Sequence, residues 1–182
     1  AAAMKMSRRN MIAAASTAPF AASAKTAISS EGVADLPAMS TRAYAALMKG
    51  DAASYAAIMK HTQDFTLMQP FGGQVIHGFD MSAEHLAKLG GFFKNGDFRQ
   101  ELIQSFSSDD IAVLVTIEHQ SVEVGGLAKQ EWPLRVTLVF RRESGEWKLA
   151  HRHADPLVLG IPVEEAAAIA RGDVAQQCSA QP

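Results

Sequence analysis

The 182-residue sequence predicts one α+β domain in which helices come first and a long antiparallel sheet follows. Two observations carry this: apolar residues recur at helical spacing between Ser40 and Phe93, and from Phe98 the period changes to two. A third is that the last alternating segments are joined by short turn-forming runs such as Glu143-Ser144-Gly145-Glu146, which favour hairpins over helical crossovers.

The elements follow in order. Ser40 is read as the N-cap of a first helix whose Tyr44, Leu47 and Met48 share a face and which Gly50 ends. Asp51 caps a second helix through Tyr55, Ile58 and Met59, ending near His61. Short strands are expected at Phe65 to Met68 and Val75 to His77, and a helix over Ser82 to Phe93. Four long strands come next: Phe98 to Phe106, Ile111 to Val122, Gln130 to Arg142 and Trp147 to Asp155. Val163 to Arg171 reads as a C-terminal helix stopped by Gly172.

Residues 1–24 differ from the rest. Lys5, Arg8 and Arg9 precede a weakly apolar stretch, no acid occurs before Glu31, and Ala22-Ser23-Ala24 forms a small-residue cleavage site. Ser7-Arg8-Arg9-Asn10-Met11-Ile12 resembles a twin-arginine export motif, so the expectation is a bacterial periplasmic or envelope protein cleaved after Ala24. Ala1 to Ala3, ahead of Met4, read as cloning residues. The expected organisation is a signal at 1–24, a linker at 25–38, the folded domain at 39–158 and a helix with a tail at 159–182.

Removing Lys5, Arg8 and Arg9 from 17 basic residues leaves 14 against 19 acids, a net charge near −5, which disfavours nucleic acid as a partner. The sequence also lacks an apolar run long enough for a membrane-spanning helix in the mature chain. Its one cysteine, Cys178, precludes an internal disulfide.

Tyr44-Ala-Ala-Leu-Met-Lys-Gly50-Asp51, Asp64-Phe-Thr66, Gln69-Pro70 and the ending Gly145-Glu-Trp147-Lys-Leu-Ala-His151-Arg-His153 resemble the nuclear-transport-factor-2-like superfamily, nearest its SnoaL-like branch. The resemblance spans about residues 40–156. It implies a cystatin-like cone, a strongly curved sheet wrapped around the N-terminal helices and open at one end, often in homodimers. The superfamily includes isomerases, cyclases, dehydratases and non-catalytic association domains, so the fold does not supply a reaction. Against the ketosteroid-isomerase pattern, the base falls at Gln69, the protonated acid at Thr137 and the phenol at Ala43, one position from Tyr44. Gln69 accepts no proton and Thr137 is a weak donor, so that chemistry is disfavoured.

With period two, His151 and His153 share a face with Trp147 and Leu149, which makes them interior acid/base candidates or hydrogen-bonded structural histidines. Tyr44, Asp64, His119, Trp132, Arg135 and Thr137 complete the pocket candidates; Arg135 is read as a carboxylate binder or a dimer-edge residue, Asp64 chiefly as a local backbone acceptor and Trp132 as packing. A zinc site built on His151 and His153 with His119, His77 or Asp64 is disfavoured for lack of motif spacing, and no cofactor is expected. Two readings result. One is a pocket for a small, mostly apolar molecule, with cofactor-free isomerase, cyclase or dehydratase chemistry if it is an enzyme. The other is a non-catalytic homodimeric association domain, joined through a convex face on which Val136, Leu138 and Phe140 are placed. Pocket volume and the exposure of His151 and His153 separate them.

Overall fold

In the computed structural model, residues 32–173 are described; the export motif, the cleavage site and Cys178 lie outside them. The order is α1 (Leu36–Met48), α2 (Ala52–Ile58), β1 (His61–Met68), β2 (Ile76–His77), α3 (Ala83–Phe92), β3 (Phe93–Ser107), β4 (Ile111–Val124), β5 (Gln130–Glu131), β6 (Leu134–Glu143), β7 (Glu146–Pro156) and α4 (Val163–Arg171). The fold is α+β: a curved, open sheet wraps around the N-terminal helices as a cystatin-like cone. The sheet runs β2-β1-β7-β6-β4-β3, with β5 beside β4; its pairs are antiparallel except β1 with β7, which is parallel.

Helix α1 starts before Ser40. Pro37 in the first turn suits the fixed φ of proline, and Leu36, 2% exposed, anchors that turn in the core. Residues 36–38 therefore belong to the helix and not to a linker. Ser40 lies inside the helix, fully buried, where its hydroxyl contacts the Pro37 carbonyl and Gln100 Oε1 at 2.9 Å. Asp51 does cap α2, accepting from the Ser54 amide. The strand expected over 130–142 is divided at Trp132-Pro133, because proline has no amide to give the ladder.

Even-numbered residues of β4 and β6 form the inner face: Leu114, Val122, Leu134, Val136, Leu138 and Phe140 meet Tyr44, Leu47, Met48, Tyr55 and Met59 from α1 and α2. Burying each large side chain here contributes about 1.5–3 kcal/mol. Val136, Leu138 and Phe140 are thus core residues, contrary to their expected place on the outer face. In β4 both faces are apolar, so its alternation alone does not phase it; in β6 the alternation Arg135, Thr137, Arg141 marks the outer face, and the even-numbered aliphatics opposite are the buried ones.

Curvature arises where the register slips, between Lys94 and Asp97, between Leu102 and Gln104, and in β7 opposite Val139/Phe140. Gly96 lets β3 approach α1: a Cβ there would lie 2.6 Å from the Met48 carbonyl oxygen and 2.8 Å from Val122. None of the helices among the described residues is long and apolar enough to cross a membrane.

Candidate functional site

The slip in β7 decides which side chains enter the cone. Phe140 pairs with Leu149 but Val139 pairs with His151, so Ala150 is an extra residue and the alternation reverses. Leu149 points inward, as does Arg152 beyond the bulge; His151 and His153 point outward. The period-two expectation for those histidines fails for this reason.

Inside the cone, Arg152 donates through Nη1 and Nη2 to the two carboxylate oxygens of Glu118, both at 2.7 Å. The side chains are 11% and 1% exposed, and the guanidinium carbon lies 4.4 Å from the centre of the Tyr44 ring. The opposite charge of Glu118 holds Arg152 protonated against the burial that opposes it. Burial raises the Tyr44 and Tyr55 phenols above their ordinary value, so both remain neutral donors near pH 7.

Around the pair, Gln100 Nε2 and Gln120 Oε1 are buried without hydrogen-bond partners, while the Tyr44 hydroxyl interacts with Tyr55 and Arg152. Gln100 stands opposite Glu118 across β3 and β4. Next along the wall, the Tyr55 hydroxyl lies 3.1 Å from His61 Nε2, while His61 Nδ1 is buried without a partner. His61 stacks on Phe79 at 4.0 Å, and burial lowers its pKa to about 4, so the ring is neutral at pH 7.

Of the sequence candidates, Tyr44 lies in this interior. His151, His153, His119, Arg135 and Thr137 lie on the convex face. His151 Nδ1 is 2.7 Å from Thr66 Oγ1, and its pKa is lowered by partial burial and by neighbouring His153. Arg135 donates to Asp155 at 2.7 Å, and His119 faces Glu101 at 3.4 Å. Asp64 receives both Arg141 terminal nitrogens, at 3.0 and 2.7 Å, in an exposed cluster with Glu143 and Lys148, and these bonds lower its pKa to about 2. It serves a long-range ion pair more than its own turn. Trp132 packs edge-on against Phe71 at 5.8 Å, with its indole nitrogen buried. Gln69 donates to the Gly72 carbonyl within its turn.

Glu118, Arg152, Gln100, Gln120, Tyr55 and His61 were missed. One signal was available: Thr116, Glu118 and Gln120 interrupt the row Leu114 to Val122 at period two, so a face bounded by buried aliphatics carries three polar groups.

The convex face is apolar at its centre. Val113 pairs with Val139, Val115 with Thr137 and Ile117 with Arg135, while Ile103, Phe106 and Met68 extend the patch at 51%, 59% and 42% exposure. A concavity of about 210 Å³ lies there, lined by Ile103, Val115, Ile117, Arg135, Thr137, His153 and Asp155 among others. A groove of about 380 Å³ runs between α2 and α3. Neither is inside the cone.

A family model described as the SnoaL-like domain matches residues 37–158. The chain belongs to the SnoaL-like family. No curated protein matches it. Among solved structures, it is similar to an NTF2-like family protein from Streptomyces avermitilis whose name proposes a dehydratase (21% identity, 70% of this chain and 96% of that one, TM-score 0.57). It is also similar to an NTF2-like protein from Cytophaga hutchinsonii (12%, 69% and 98%, TM-score 0.56) and to the CamKII hub homology domain of Chlamydamonas reinhardtii (17%, 69% and 98%, TM-score 0.51). At these identities the likeness is one of fold, and the SnoaL-like fold is compatible with small-molecule binding.

Proposed function

We propose that this SnoaL-like domain is a homodimeric association module, joined through the convex face of its sheet, and that it acts in the cell envelope after removal of residues 1–24. The observation that carries the reading is the outer face itself: Val113, Val115, Ile117, Val139, Ile103 and Phe106 form one apolar field where a lone sheet would present polar residues to water. Likeness to a hub homology domain is in keeping with it but adds only the fold. Val113→Arg places a charge between Phe106 and Val139, in the centre of that field, on the face of β4 turned away from the core. In sedimentation velocity at micromolar concentration, the wild type should run as a dimer and the variant as a folded monomer; a variant that still dimerises sinks the reading.

A second reading, ligand binding in the cone, is favoured by the unpartnered Gln100 Nε2 and Gln120 Oε1 atoms. It would take a small polar molecule, since these groups offer hydrogen bonds beside an already neutralised ion pair, and a mostly apolar ligand would leave them unmet. Any acid/base role would then fall to neutral His61 with Tyr55, not to His151 or His153. Isothermal titration of small polar candidates against the wild type and Gln120→Leu tests it.

A further inference from the structure

We infer that the C-terminal arm, residues 157–171, docks on a second copy of this chain, with Leu159 filling the convex-face concavity of the partner; this rests on the homodimer proposed above. The arm carries Leu157, Val158, Leu159, Ile161, Val163 and Ile169, all at least one-third exposed, and Leu159 is 92% exposed. Val158, Leu159, Val163 and Ile169 are each more than half exposed, an apolar run that its own body leaves largely in water.

Three features commit the arm to this occupant. The first is its root. Asp155 lines the concavity and Pro156 ends β7, and the Leu157 amide is tied to the Pro133 carbonyl at 2.9 Å, which directs the chain off the end of the sheet instead of back across it. The four residues from Asp155 to Leu159 reach about 13 Å when extended. A two-fold axis beside the concavity brings the partner's concavity within that reach, and the exchange is then reciprocal and closed.

The second feature is size and chemistry. About 210 Å³ is below the range of a drug-sized ligand pocket but suits a large aliphatic side chain, and Ile103, Val115 and Ile117 give the concavity an apolar floor under a rim of Arg135, Asp155 and His153. The third is area. Six aliphatic side chains, partly exposed at present, remove on the order of 400 Å² from water, roughly half of the ~800 Å² each partner contributes to a stable interface. The sheet face supplies the remainder.

The test uses the full chain in a Cys178→Ser background. Ile103→Cys in one copy and Leu159→Cys in a size-tagged copy are mixed and treated with a short bismaleimide, with sedimentation run in parallel. A cross-chain adduct is expected, together with at least a tenfold weaker dimer in Leu159→Asp and an unchanged far-UV spectrum. A dimer without the cross-chain adduct overturns the arm placement and leaves the convex-face dimer standing. Monomers throughout overturn both.

Discussion

Replacing Arg152 by Met leaves the Glu118 carboxylate 1% exposed with no counterion and removes the cation over Tyr44. Orphaning one partner of a buried pair costs about 3–5 kcal/mol, and the lost cation–π contact adds about 1 kcal/mol. Relaxation of the surrounding side chains relieves part of this, so the net cost should be about 4 kcal/mol, a fall in Tm of roughly 10 °C for a chain of this size. Glu118→Met strands the less buried guanidinium and should cost about 3 kcal/mol. The double Met variant restores a neutral, packed interior and should lie within about 1 kcal/mol of wild type, or above it. Urea unfolding at pH 7 and one fixed protein concentration measures the cycle, because mass action would otherwise enter. A coupling of about 6 kcal/mol is expected by this arithmetic. Single variants costing under about 1 kcal/mol, or a double variant equal to their sum, would refute the buried pair and with it the bulge that turns Arg152 inward.

Three further outcomes are expected. His61 has a folded pKa of about 4 against about 6.5 when unfolded, so the unfolded chain binds more protons between those values; stability should therefore fall by up to about 3 kcal/mol as pH drops from 6.5 to 4, and His61→Phe should flatten that limb of a pH–stability curve. Gly96→Ala should cost about 1–3 kcal/mol in chemical unfolding, because its Cβ would meet backbone 2.6 Å away that has no room to yield, while Gly126→Ala, with open space but a positive φ, should cost about 1 kcal/mol. N-terminal sequencing of protein from the native envelope should begin at Lys25, and an intact Met4 there would refute export with cleavage.

The order of elements was legible because each rests on local signals: helical spacing at Tyr44, Leu47 and Met48, alternation along β4, and a Gly145 turn. The site was less legible, for two physical reasons. A strand with Val113, Val115 and Ile117 on one face and Leu114 and Val122 on the other does not declare its inner side until the helices choose it. One extra residue, Ala150, then exchanged the places of Arg152 and the two histidines, and a bulge in the middle of a regular strand has no reliable local sign when no glycine marks it. Ser40 misled for a related reason: its hydroxyl suits a cap, but Pro37 and Leu36 had already started the helix.

Self-association through the convex face is measured by the mass of the wild-type chain in sedimentation equilibrium across a dilution series. A species of twice the 19.5 kDa chain mass is expected at micromolar concentration, dissociating reversibly on dilution. A mass of one chain throughout the series would contradict it.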